Sequence, residues 1–235
     1  DDSMEKRMEF NKPWDFVNLK IWDIWDHFWS FDFSKPTIIW LDFENLLDIA
    51  TLTTIVSTLS YLKENDILIL SLPLWMRDKT TYVNQWNAEF WESLKNGDFS
   101  WVNYPKLVYK TVYDKLSDTV ARSKPWIQFE QLYHMKYADQ IPMLTIGWIL
   151  LSESCKPDLS RALSALWYIN KTEVPTDIDL PTLTTKEKTY LDKNLHLIRS
   201  GGLGLAGLPF ELTQSQLDNY LLYYKYYPNY QEGIV

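Results

Sequence analysis

Few residues in this chain stand in a pattern that can do chemistry. The clearest is Asp42-Phe-Glu44, two carboxylates directly after the apolar run Thr37-Ile-Ile-Trp-Leu41. An uninterrupted apolar run of that length suits a strand buried on both faces of a parallel sheet. Open α/β sheets bind their ligands at the carboxyl ends of such strands. Carboxylates placed there can accept hydrogen bonds from a ribose, an amine or an adenine amino group, or hold a divalent metal. They can also cap the helix that begins near Leu46 and favour its dipole, and the two roles are compatible. Asp23 follows a second run that ends near Ile21 and is placed in the same way, although a solvated loop acid is the simpler reading. Asp139, beside Tyr137, falls between two late strands, where an acid is ordinarily a turn former.

Other candidates carry less. Gly202-Leu-Gly-Leu-Ala-Gly207 spells G-x-G-x-x-G, but that fingerprint works only where the glycines leave a strand and enter a helix whose N–H groups face a pyrophosphate. Here a helical pattern precedes the glycines and Pro209 follows them, so a loop is expected. Cys155 is the single cysteine, which excludes an intramolecular disulfide and a cysteine-based zinc site. None of His27, His134 and His196 stands in a pairing pattern with it.

The elements that must position these residues can be read from periodicity. Thr37–Leu41 and Ile67–Leu72 read as buried parallel strands. Leu52, Ile55, Val56, Leu59 and Leu62 recur between them at helical spacing, and Lys63-Glu-Asn-Asp66 closes that helix. Strand, helix, strand is a right-handed βαβ unit, with Thr37–Leu41 expected to be central and fully buried. Phe16–Ile21 reads as a further strand. Helices are expected over Tyr82–Lys95 and Lys106–Ala121, then two strands, Trp126–Tyr137 and Met143–Leu151, joined as a hairpin. Leu159–Tyr168 reads as a short helix and Thr172–Pro181 as a proline-bounded connector. Thr184-Thr-Lys-Glu187 and Thr213-Gln-Ser-Gln216 have the spacing of capping boxes and open helices over Lys186–Ile198 and Gln214–Tyr226.

Composition narrows the function classes. The net charge of −8 argues against a protein whose main task is to grip a phosphate backbone, since that affinity comes from clustered Lys and Arg. No run of about 18 apolar residues suggests a membrane span. The charged start, Asp-Asp-Ser-Met-Glu-Lys-Arg, has no signal-peptide core, which points to the cytoplasm. Five of the 12 Trp fall at Trp14, Trp22, Trp25, Trp29 and Trp40. That density suits contact with a partner chain, a second copy or a missing segment over Trp14–Trp29, or else an aromatic-rich core.

Several phrases occur together in order: Arg7-Met-Glu-Phe-Asn-Lys-Pro-Trp14, Ile38-Ile-Trp-Leu-Asp-Phe-Glu44, Tyr137-Ala-Asp139 with Met143 and Gly147, and Tyr226-Tyr-Pro-Asn-Tyr230. From about Arg7 to Tyr230 the chain resembles a bacterial family known as putative O-methyltransferase. The resemblance implies a class I methyltransferase-type, Rossmann-like α/β fold, and together with the strand and helix patterns above this gives a mostly parallel sheet, a late antiparallel hairpin and a C-terminal helical appendage. It makes Phe16 the start of the third strand, Thr37 of the fourth and Ile67 of the fifth, with the late pair sixth and seventh. Apart from the resemblance, the change of pattern after Cys155 divides the chain into a core over residues 1–155 and a helical appendage over 156–235 packed on it. The family's first strand, its glycine turn for the carboxypropyl end of S-adenosylmethionine (SAM) and the acid after strand two fall ahead of Asp1, with no counterpart in this chain.

By the same resemblance Asp23 lies near the adenine, Asp42 near the methionine end of the cofactor and the acceptor, and Glu44 on the acceptor side. The function so implied is SAM-dependent methyl transfer to an unknown acceptor. Two alternatives stand beside it. One is a binding or assembly subunit that keeps the fold without the chemistry. The other is a metal-dependent nuclease, because Leu41-Asp-Phe-Glu-Asn45 is similar to the opening of NYN/PIN-type domains, although the Ile67 strand ends in Leu-Pro-Leu-Trp without an acid.

Overall fold

The computed structural model describes residues 2–12, 14, 16–20, 24–28, 30–74, 96–100, 102–139, 141–155, 159, 161–163, 166 and 169–226. The chain divides into two compact units, residues 1–37 and 38–235. The first contains helices α1 (Asp2–Phe10) and α2 (Ile24–Phe28). Its packing centre is aromatic: Phe28, almost fully buried, stacks on Phe33 at 5.3 Å and meets the edge of Phe31 at 6.0 Å.

The strand expected from Phe16 is not formed over its described residues, 16–20. Burial alternates along them as it would in a strand, and Phe16 itself is exposed and stacked on Trp14. Alternation needs a neighbouring strand before it becomes a ladder, and none of the described strands pairs with this segment. The expected helix over Tyr82–Lys95 lies outside the described residues.

The second unit is built on a five-stranded sheet in the order β1-β2-β4-β3-β5. Its strands are β1 (Ile38–Asp42), β2 (Ile67–Pro73), β3 (Ile127–Asp139), β4 (Ile141–Ser152) and β5 (Thr176–Ile178). β1 runs parallel to β2, with Trp40 opposite Ile69 and Asp42 opposite Ser71. β4 runs antiparallel to both β2 and β3, and with β3 it forms the expected late hairpin. β5 then adds parallel to β3. This is the α/β, Rossmann-like architecture that the resemblance implied, as a mixed sheet with two antiparallel pairings at its centre and a parallel one at each side.

Burial follows from that order. Leu68, Leu70 and Leu72 of β2 and Leu144, Ile146, Trp148 and Leu150 of β4 line one face, each at 0% exposure. Helix α3 (Ile49–Thr58) connects β1 to β2, and α4 (Tyr104–Ser123) leads into β3. Val108, Val112, Leu116 and Val120 recur every four residues along the buried side of α4, which packs on β3 and α3.

β1 corrects one expectation. Among the described strands it is the edge of the sheet, not the centre, and only Ile39 and Leu41 are buried. Ile38 and Trp40 point to the other face and are 65% and 61% exposed. An apolar run prepares a strand for two covers, but it does not supply the second. Backbone hydrogen exchange should accordingly be slowest at Leu68–Leu72 and Leu144–Leu150, which have neighbours on both sides. Equally slow exchange at Ile38–Leu41 would show instead that β1 is covered in solution.

The C-terminal helices are α5 (Thr185–Arg199) and α6 (Gln214–Tyr223). Both capping boxes form as expected, Thr184 with Glu187 and Thr213 with Gln216. Leu191 and Ile198 of α5 and Leu217 and Tyr220 of α6 make a core of their own. β5 interrupts what the sequence presents as a connector; at three residues it is too short for periodicity to register.

Candidate functional site

Asp42 is the last residue of β1, at the carboxyl end of the parallel pair, and its side chain is exposed. Glu44 follows two residues later, also exposed. Neither caps α3. That helix begins at Ile49 and its N-cap is Asp48, whose Oδ1 accepts from the Thr51 N–H at 2.7 Å. The helix starts later than the apolar pair Leu46-Leu47 suggests, because Asp48 supplies the extended N-cap backbone and the acceptor together. Asp42 and Glu44 are therefore released from the capping role that competed with a ligand-binding one.

Beside Asp42 the sheet carries a row of polar side chains that periodicity did not single out. Cross-strand partners in a ladder share a face, so Asp42, Ser71 and Thr145 lie side by side on β1, β2 and β4. The exposed Trp40 donates its indole N–H to Ser71 Oγ at 2.9 Å. Ser71, fully buried, hydrogen-bonds Thr145 Oγ1 at 2.8 Å, and Thr145 donates to Tyr137 Oη at 3.3 Å. An indole nitrogen can only donate. With Thr145 donating to Tyr137, the proton of Ser71 goes to Thr145 and the chain runs one way, from Trp40 to Tyr137. The indole is thereby tied to the sheet next to Asp42. The one available signal was Ser71 itself, the single hydroxyl inside Ile67-Leu-Ile-Leu-Ser-Leu72.

Gly147 lets the neighbouring row close. A β-carbon at this position would stand 2.6 Å from Tyr133 Cζ, so the Tyr133 ring occupies the space above the glycine. Burial pushes the Tyr133 phenol up to about 12.

The remaining candidates are placed as follows. Asp23 lies outside the described residues, as does the side chain of Asp139. Gly202–Gly207 follows α5 as a loop, with Gly201 at φ +76° and a short 3-10 turn over Leu205–Gly207, so no helix N-terminus faces outward from these glycines. A cleft of about 740 Å³ borders this loop. Two of its polar residues, Thr213 and Gln216, are already occupied with each other's backbone in the capping box of α6. Cys155 is exposed and its thiol donates to Glu64 Oε1 at 3.4 Å. Hydrogen bonds from Ser152, and then from Cys155, hold the Glu64 carboxyl below its usual range. Among the described residues no three His, Cys, Asp or Glu side chains gather where a metal ion could be held, and no helix is long and apolar enough to cross a membrane.

No curated protein matches the chain. The model of one family does, and it matches the whole of residues 1–235 under the description "putative O-methyltransferase". A match of that extent, on a sheet whose carboxyl edge presents Asp42 and Glu44, makes the chain a member of that O-methyltransferase family.

Proposed function

We propose that the chain serves SAM-dependent methyl transfer to an oxygen acceptor, at the carboxyl edge of β1 and β2. The observation that carries this reading is Asp42: an exposed carboxylate at the strand end, with the capping of α3 assigned to Asp48 instead. The donor set fits. SAM offers an ammonium, ribose hydroxyls and an adenine amino group, all hydrogen-bond donors, and Asp42 and Glu44 are acceptors when ionised. When bound, the cofactor supplies a methyl group on a positively charged sulfur. The chain's own contribution is placement, since an in-line displacement is accelerated mainly by holding the reacting atoms in register. Asp42 holds donor groups of the cofactor, and Glu44 flanks the acceptor. The hydrogen-bonded chain through Ser71 and Thr145 keeps Trp40 fixed beside them. The adenine-side role of Asp23 rests on the family resemblance.

Two substitutions in the natural full-length polypeptide separate a ligand role from a structural one. Asp42→Asn should leave melting nearly unchanged and weaken SAM binding by roughly tenfold or more, because a hydrogen bond to a charged group contributes ~1.5–3 kcal/mol. Asp48→Ala should do the reverse. Loss of the cap costs about 1 kcal/mol, a shift of about 2–4 °C in a chain of this size, with binding retained. Calorimetry showing unaltered SAM binding by Asp42→Asn would remove Asp42 from the site.

A second reading, a binding or assembly subunit, is favoured by one observation: Ile38 and Trp40 are largely exposed on one sheet face, and Trp14 is 62% exposed in the N-terminal unit. A wild-type protein that binds no SAM yet associates through these residues would replace the enzymatic reading with this one.

A further inference from the structure

The segment Asn170–Ile178 borders the outer side of β3. Its residues 171–174 are exposed, and hydrogen bonds and ion pairs tie it to β3. Gln131 Nε2 donates to the carbonyls of Asn170 at 2.5 Å and Thr172 at 3.1 Å. The β-bulge between Gln131 and Tyr133 accompanies a further bond, from the Asn170 N–H to the Leu132 carbonyl at 3.2 Å. Asn170 Nδ2 returns a bond to the His134 carbonyl. Lys171 pairs with Glu130 and Lys136 with Asp177, and β5 adds three residues of ladder.

His134 stands in the middle of this set. Its Nδ1 lies 3.2 Å from the Thr172 carbonyl, which can only accept, so Nδ1 carries the proton. Nε2 then holds a bare lone pair, in a side chain at 0% exposure, with no hydrogen-bond partner among the described residues. The Tyr109 ring of α4 stacks on the imidazole at 4.6 Å. The charged and titratable groups on the elements that meet here are Tyr109, Tyr113 and the Lys110–Asp114 pair on α4, Lys171, Glu173 and Asp177 on the segment, and Glu130 and Lys136 on β3. Among the described residues no carboxylate bonds either ring nitrogen.

We propose that His134 is an acid-sensitive latch: when Nε2 takes up a second proton, the segment Asn170–Ile178 releases β3, and the ring becomes solvated. The physical reason is that a second proton creates a cation and an unpartnered donor in a buried place. The Tyr109 face attracts a cation, but desolvation wins: it holds the His134 pKa below its usual value, against the opposing bond to Thr172. Release also frees the edge of β3 at Tyr137, which pairs with Ile178 and ends the hydrogen-bonded chain from Trp40. The latch itself does not depend on what binds there.

The sign follows from linkage. In the open segment the imidazole titrates near its free value of about 6.5; in the closed one it titrates lower. Closure is therefore fully stable above the free value and is lost as pH falls through the closed one. Between the two, the open fraction rises by up to about tenfold per pH unit.

The test is hydrogen exchange of the full chain from pH 8 to 5, with protection corrected for intrinsic rates. Protection at 170–178 should be level at high pH and fall by up to about tenfold per unit below pH ~6.5, while Leu68–Leu72 stays protected. His134→Asn keeps a side-chain N–H donor but cannot titrate, and its protection at 170–178 should be level throughout. In the wild type, NMR titration of the His134 ring should have its midpoint below the free value, within the range where protection is lost. Level wild-type protection, the same acid loss in His134→Asn, simultaneous loss at Leu68–Leu72, or a His134 midpoint at or above the free value would each overturn the latch.

Discussion

Replacing Trp148 by alanine is expected to destabilise the chain by about 3–5 kcal/mol, the range for deleting a large aromatic from a core. Trp148 sits at mid-sheet on β4, between Leu68 of β2 and Gln131 of β3, with no exposed surface. Phe129 meets its ring edge-on at 6.3 Å. A cavity of indole size cannot collapse there, because strands bound it on both sides. The melting temperature should fall by about 2–4 °C for each kcal/mol. Trp148→Phe should cost much less. Among the described residues no group accepts the Trp148 Nε1–H, and removing an unsatisfied buried donor recovers part of its desolvation penalty, ~1–3 kcal/mol. Denaturant unfolding of the two variants should rank them clearly; a Phe variant as unstable as the Ala variant would show that the indole nitrogen is satisfied after all.

The next largest effect is expected at Asp66, a fully buried carboxylate in the turn between α3 and β2. Its Oδ2 accepts from the Lys63 N–H at 2.8 Å, closing a turn in which Asn65 adopts φ +70°. The same turn is anchored to β4 by bonds from Asn65 N to Leu150 O and from Leu150 N to Asp66 O. Lys124, just past the end of α4, reaches across to the carbonyls of Leu59 and Leu62. Burial lowers the Lys124 pKa, and the Asp66 charge opposes that shift. Asp66→Ala removes a charge-assisted bond and leaves Lys124 without its nearby anion, a loss of about 1.5–3 kcal/mol. Asp66→Asn keeps an acceptor and should lose less. Equal stability of Asp66→Ala and wild type in urea would contradict this account of the turn.

That turn was legible from Lys63-Glu-Asn-Asp66, since Asn tolerates the left-handed backbone and Asp accepts from the backbone nearby. So were β2, the hairpin of β3 and β4 and both capping boxes, because each rests on contacts within a few residues or on an apolar run that only a sheet interior satisfies. Phe16–Lys20 and β5 failed in opposite directions for one reason: a ladder is a property of two segments. The first has the alternation without a partner, and Thr176–Ile178 has the partner, β3, without enough length to show alternation. At the site, Asp42 and Glu44 were visible because charge interrupts an apolar run. Ser71, Thr145 and Tyr137 were not, because only the register of three strands brings them together. Asp48 escaped notice as a cap because Leu46-Leu47 before it continues the helical apolar pattern.

Gly147 and Tyr133 are coupled in sequence change. While the phenol ring fills the place of a β-carbon at 147, any side chain there must push the ring aside, and overpacking of this kind typically costs ~1–3 kcal/mol. Reducing Tyr133 first leaves a gap that a residue at 147 can then fill. Shrinking Tyr133 alone leaves a cavity, and adding a side chain at 147 alone displaces the ring, so each change offsets the cost of the other. Lineages that share this sheet should therefore vary the two positions together, with a larger residue at 147 accompanied by a small one at 133.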